Sequence, residues 1–242
     1  MYCTSVAAEP ETVQPELIFG KQNSAPKYFA RGSQQRGLCD LIYDSLKSRL
    51  AQKQQRVRID PNLYPIKRVL AMVLAGDVHV FCGAGRNKKR ETLYSYSLHP
   101  VYQPSNVLAM HKDDPYIAHD YVALQKDQLK IGAFFGASST TYLKTFRGIQ
   151  VVDHFTQLED GLNAVARKKI PYFYYHDLGL SYLVNRSSLP IKLMPTKFRT
   201  YSHWLLYSLE MTKIQIELLD SSLEEMINDG ELDRIREPFF KY

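Results

Sequence analysis

LYPIKRVLAMVLAGDVHVFCGAGRNKKRETLYSYSLHPVY, residues 63–102, carries the pattern around which the rest of the chain is organised. Pro65 stands where a helix can begin, because a proline in the first turn loses no hydrogen bond it would otherwise make. Val69, Leu70, Met72, Val73 and Leu74 then form an apolar band at helical spacing. Gly76 suits the left-handed residue just past a helix end. Val78, Val80 and Phe81 read as a short strand. Gly83 and Gly85 open a loop whose basic run ends at Arg90. A helix, a strand and a glycine-opened loop carrying an arginine predict an anion site at a strand's carboxyl end, where open α/β sheets bind ligands.

Working outward, the same alternation continues on both sides. Leu17–Gly20 reads as a first strand, followed by a polar loop from Lys21 to Arg36 that contains Pro26, Tyr28 and Phe29. Gly37–Leu50 is helical, with Leu38, Leu41, Ile42, Leu46 and Leu50 on one face and Asp40 in the first turn. Val57–Ile59 is a second strand. On the other side, Asn106–His111 and Leu129–Ala133 are strands. The second runs into Gly136, Ala137, Ser138 and further hydroxyl residues before a helix carrying Tyr142 and Phe146. Glycine and small hydroxyls at a helix start fit either an anion site or a plain N-cap. Gln157–Lys168 is a helix and Ile170–Tyr175 a strand closed by His176-Asp177. This unit echoes Pro65–Cys82 and suggests two similar lobes. Leu189–Met194 is a strand, and Ile216, Leu219, Leu223, Met226 and Ile227 line the last long helix before Gly230.

Composition bounds the function. The chain's 242 residues suffice for one large or two modest cores. Its longest wholly apolar run, Val69–Ala75, is far too short to span a bilayer. The formal charge of +6 could suit nucleic acid, but the basic residues are scattered apart from 86–90 and 167–169, so no nucleic-acid partner is expected. A mildly basic binder of anionic solutes fits the same charge. Ser5-Val6-Ala7-Ala8 before Glu9-Pro10 reads either as the end of a signal peptide, residues 1–8, or as an N-terminus that happens to contain alanines. Cys3 would leave with such a remnant. Cys39 and Cys82 lie in different elements, and nothing in the sequence brings their Cα atoms within roughly 7 Å, so two buried free thiols are expected. There is no Gly-x-Ser-x-Gly, His-Glu-x-x-His or Walker loop, and the seven histidines form no spaced metal pair. No catalytic residue, metal or cofactor is therefore expected.

Gly76-Asp77, the loop 83–90 ending in Arg90, and Ser97, Pro100 and Tyr102 together resemble the family-3 bacterial extracellular solute-binding proteins, the binding components of amino-acid ABC transporters. Asp229-Gly230 near the C-terminus extends the resemblance over roughly residues 15–240. It implies a periplasmic-binding-protein-like type II fold: two α/β lobes, each a mixed sheet flanked by helices, joined by two crossing strands. Lobe 1 would hold 15–106 and 195–242, and lobe 2 would hold 107–194, with the crossings near Asn106–Leu108 and Ile191–Met194. Arg90 would hold a ligand carboxylate bidentately. Gly83 and Gly85, an aromatic at Tyr28 or Phe29, and Gly136, Ala137 and Ser138 would line the cleft, and either His176 or Asp177 would stand where the family holds the ligand ammonium. Gly83, Gly85 and Ala137 stand where many amino-acid binders of the family have hydroxyl residues, so three hydroxyls that would hold an ordinary α-amino acid are lost. The implied role is a periplasmic, monomeric, non-enzymatic binder of a small carboxylate-bearing solute, partnered by a membrane permease. A sensor for a membrane signalling partner, or a dehydratase on the same fold, are the alternatives.

Overall fold

A computed structural model describes residues 15–240 of the chain. The segment 1–8 and Cys3 lie outside the described residues. In chain order the elements begin with β1 (Leu17–Gln22), α1 (Leu38–Gln52), β2 (Val57–Tyr64), α2 (Ile66–Leu74), β3 (Val80–Gly85), α3 (Lys88–Glu91) and β4 (Ser95–Tyr102). They continue with β5 (Ser105–His111), α4 (Tyr121–Lys126), β6 (Lys130–Phe134), α5 (Ser138–Leu143), β7 (Gln150–Phe155), α6 (Leu158–Ala166) and β8 (Tyr172–His176). The last are α7 (Asp177–Arg186), β9 (Ile191–Leu193), β10 (Arg199–Thr200), β11 (His203–Tyr207), α8 (Lys213–Asn228) and α9 (Glu231–Phe240).

Two mixed sheets result. The first has the order β2-β1-β3-β11-β4 and the second β10-β5-β8-β6-β7, with β9 also on β5. In the first, β1 runs parallel to β2 and β3, while β11 enters antiparallel between β3 and β4. In the second, β6 is parallel to β7 and β8, and β5 is antiparallel to β8. This two-lobed α/β arrangement is the one the sequence predicts. Asn106–Leu108 on β5 and Ile191–Leu193 on β9 pair within the second sheet. The chain passes between sheets at Gln103-Pro104 and returns at Tyr201-Ser202. Apolar runs mark strands but say nothing about which sheet a strand joins.

Local chemistry explains the elements. Pro65 caps α2, and Gly76 follows it at φ +79°, the left-handed conformation expected there. The N-terminus of α8 is held by a reciprocal pair: Gln215 N donates to Thr212 Oγ1, and Thr212 N donates to Gln215 Oε1. Strand β3 is buried at every residue, as befits a strand covered on both faces. Strand β8 alternates: Phe173 and Tyr175 enter the larger apolar cluster and Tyr172 and Tyr174 the smaller one on the sheet's other face.

The cysteine expectation is overturned. Cys39 and Cys82 form a disulfide, with Cα atoms 5.9 Å apart. The reason is that α1 packs its first turns directly on β3. The Tyr43 hydroxyl donates to Gly20 O at 2.8 Å and accepts from Cys82 N at 2.7 Å, which fixes the helix over that strand. Among the described residues no helix is long and apolar enough to cross a membrane.

Candidate functional site

The two sheets face each other across a cleft between the end of β3 and the ends of β6 and β8. Gly83 adopts φ +88°, and a Cβ there would lie 2.2 Å from the Tyr102 hydroxyl, so only glycine fits. A Cβ on Gly85 would lie 2.5 Å from Ser138 Oγ, so the two lobes touch at this pair.

Arg90 follows from α3, where Asn87 caps the short helix by accepting from Arg90 N. The residue is 9% exposed. Nη1 donates to Gly85 O at 3.0 Å in the first lobe, and Nη2 to Gly136 O at 3.4 Å in the second. No carboxylate among the described residues pairs with it. Burial works against its charge and pulls its pKa below the ordinary arginine value.

Lys27, which sequence reasoning missed, lies beside it. It is 2% exposed. Its Nζ donates to Gln22 Oε1 at 2.8 Å and to Gly83 O at 3.4 Å, and sits 5.2 Å from the Phe81 ring centre. Burial, and then the charge of Arg90, push its pKa down to about 7. The loop that carries it is pinned, since Cys39 N donates to Lys27 O. The available signal was its place next to Pro26, one residue before the aromatic pair.

The two aromatics lie elsewhere. Tyr28 is buried behind the cleft, donating to Cys82 O at 2.7 Å and meeting Tyr43. Phe29 packs edge-on against Tyr182 at 5.8 Å. Both anchor the loop while Lys27 turns into the cleft.

In the second lobe, Ala137 and Ser138 line the cavity, joined by Ser139. Gly136 supplies only its carbonyl to Arg90 and packs on Ile66 and Lys67 at the rim. His176 lines the cavity too, and is 2% exposed. Its Nδ1 accepts from Gly179 N at 3.1 Å, capping α7, so the neutral ring carries its proton on Nε2. That Nε2 is buried with no partner among the described residues. Burial, then the charge of Lys27, hold the ring's pKa well below the usual histidine value. Asp177 does not line the cavity. Its Oδ1 accepts from Ser105 N and Leu178 N, tying α7 to the start of β5. Of the His176–Asp177 pair, the histidine therefore faces the cleft.

The return segment adds Tyr201 and His203. His203 Nδ1 and the Tyr102 hydroxyl are 2.9 Å apart. Both residues lie in a stretch with no clear periodicity, so nothing in the sequence marked them. Among the described residues no cluster of three or more His, Cys, Asp or Glu could hold a metal ion.

The lobes are shut on one another. Besides Arg90 and the Gly85–Ser138 contact, Lys67 Nζ stands 3.5 Å over the Phe135 ring. The cavity around Lys27, Arg90 and His176 measures about 30 Å³, room for a water molecule or two. Ligand pockets usually start near roughly 300 Å³. Entry of an organic solute therefore requires the lobes to part.

No family model matches the chain, and no curated protein sequence matches it. Solved structures do. An ancestral arginine-binding protein bound to arginine superposes with a TM-score of 0.78 at 16% identity, covering 94% of this chain and 99% of that one. An amino-acid ABC transporter substrate-binding protein from Streptococcus pneumoniae, bound to L-arginine, gives 0.76 at 19% identity, covering 93% and 94%. An ancestral amino-acid-binding protein described as a precursor of cyclohexadienyl dehydratase gives 0.77 at 15%, covering 93% and 95%. At these identities the likeness establishes the two-lobed fold of the chain.

Proposed function

We propose that this chain is an extracytoplasmic solute-binding protein, which captures a small carboxylate-bearing solute between its lobes for uptake through a membrane permease of the ABC type. The observation that carries the reading is Arg90. A buried guanidinium without a carboxylate partner among the described residues is costly unless something else supplies the negative charge. It also touches both lobes, so a ligand bound to it would favour their closure. We take residues 15–102 with 203–240 as the first lobe and 105–200 as the second, with hinges at 103–104 and 201–202.

The Cys39–Cys82 disulfide supports an oxidising location, which in most organisms means outside the cytoplasm. The protein is read as a monomer that binds without turnover. The solved relatives named above bind amino acids, and a carboxylate is the group such ligands share with a broader class of solutes.

A thermal-shift screen against a broad solute library, followed by calorimetry, tests the reading. At least one small carboxylate should raise the melting temperature by mass action. That effect should vanish in Arg90→Ala. A library in which no solute stabilises the protein, or one whose hits bind Arg90→Ala equally well, contradicts the reading.

A further inference from the structure

The cleft is built to receive negative charge, and among the described residues no carboxylate lines it to receive a positive one. Lys27 and Arg90 are buried within it, and neither forms an ion pair among the described residues. They donate to the carbonyls of Gly83 and Gly85, two residues apart on β3. Both cations line the same small cavity, and the charge of Arg90 is felt at Lys27, so one compact ligand can touch both. From the second lobe, His176 presents an Nε2–H donor that has no acceptor among the described residues. The tautomer is fixed by the Gly179 amide, so this nitrogen cannot turn into an acceptor while the cap holds.

An α-amino acid brings an ammonium with three donors and no acceptor. Here it would stand beside two cations and a third donor. The acceptors nearest the cations, Gln22 Oε1 and the Gly83 and Gly85 carbonyls, already receive Lys27 and Arg90. Among the described residues, none that line the cavity is acidic. Asp177, the neighbouring carboxylate, is turned to the Ser105 and Leu178 amides instead.

Resting on the reading of the cleft as a solute site, we propose that its ligand is a compact dianionic oxyanion lacking an ammonium group, bridged by Lys27 and Arg90 in the first lobe and held by His176 Nε2–H from the second. Short dicarboxylates and phosphate or phosphonate groups share this chemistry. The low pKa of Lys27 in the empty cleft fits, because a bound dianion would restore the ammonium's charge and take up a proton.

Calorimetry of the full chain at pH 6.5 tests the proposal, with the disulfide intact and with glutarate, L-glutamate, inorganic phosphate, L-arginine and L-glutamine as probes. Glutarate or phosphate should bind at least tenfold more tightly than every amino acid, and which of the two binds separates the dicarboxylate from the tetrahedral class. Lys27→Met should weaken the better anion at least tenfold. Lys27→Gln serves as the second variant if Lys27→Met melts lower than the parent. Tighter binding of L-glutamate than of glutarate, or of L-arginine or L-glutamine than of both anions, overturns the proposal while leaving the solute-binding reading in place. Unchanged anion affinity in both lysine variants also overturns it. Failure of every probe to bind, with scattering that shows permanently closed lobes, overturns both.

Discussion

The two walls of the cleft are made differently. The first-lobe wall is cationic and rigidly supported. Lys27 sits on a loop whose carbonyl is bonded to Cys39 N, Cys39 is bridged to Cys82, and Cys82 precedes Gly83, which receives the Lys27 ammonium. Gly37 lets the loop approach closely, since a Cβ there would lie 2.3 Å from Lys27 O. The second-lobe wall is neutral: Ser138, Ser139 and an imidazole kept uncharged by burial and by Lys27. Charge thus resides on the braced wall and neutral donors on the other. A ligand would dock on the first lobe by electrostatics, and the second lobe would complete the hydrogen bonds as it closes.

Removing charge from the braced wall should have the largest effect. Arg90→Ala should keep its fold but lose about 3–5 kcal/mol of binding, a hundred- to several-thousand-fold drop in affinity by calorimetry. Near-normal affinity would take Arg90 out of the site and dissolve the distinction between the walls.

Loosening the brace comes next. The disulfide closes a loop of 43 residues in sequence separation. Replacing both cysteines with serine should cost about 2–4 kcal/mol of stability, read as a lower denaturation midpoint. An unchanged midpoint would mean that α1 and β3 are held by packing alone.

Titrating the braced wall should have a smaller, directional effect. Lys27 faces Gln22 from β1, Gly83 and the Phe81 ring from β3, Arg90 from α3, Tyr102 from β4, His176 from β8, His203 from β11 and its neighbour Tyr28. Burial keeps both histidines neutral and raises both tyrosines well above their ordinary range, while Arg90 stays charged, so Lys27 is the member of this group that titrates near neutrality. Its folded pKa of about 7 lies below the unfolded value of 10.5. The unfolded state therefore binds more protons between them, and the stability of the empty protein should rise with pH across that window. Anion affinity should fall over the same range, by up to about tenfold per pH unit above 7. Chemical denaturation and calorimetry of the parent against Lys27→Met isolate this effect, and parallel pH profiles would contradict it.

Altering the neutral wall should matter least. Ser138→Ala removes one hydroxyl, worth about 1 kcal/mol, or roughly fivefold in affinity. A loss as large as that from Arg90→Ala would show that the second lobe carries as much of the binding as the first.

Much of the fold was legible because its elements carry local signals. Pro65, Gly76 and the apolar band between them lie at the start, end and face of α2. Strand β11 was not legible, although it lies inside the first sheet between β3 and β4. His203–Tyr207 is short, and its role is fixed only by partners about a hundred residues away. The disulfide was missed for the same reason, because packing of α1 on β3 is a tertiary fact. Within the site, Arg90 and Ser138 stood out by motif, and the structure brings both to the cleft. Lys27 did not, since a lysine in a polar loop looks solvated until the loop folds inward and buries it. His176 and Asp177 were indistinguishable in sequence, because a shift of one residue at a strand end exchanges which of them faces the cleft.

Small-angle scattering on the parent and on Arg90→Ala, with and without the tightest-binding anion, tests the central claim most directly. In this structure Arg90 touches both lobes, and the cavity it shares with Lys27 and His176 holds only about 30 Å³. A solute that binds there must enter an opened cleft and be enclosed as it shuts. The parent's radius of gyration should shrink on adding ligand toward the value of the closed structure, and that of Arg90→Ala should not change at the same concentration. A parent radius that stays constant at saturation, or an equal contraction in Arg90→Ala, would contradict a ligand held between the lobes by Arg90.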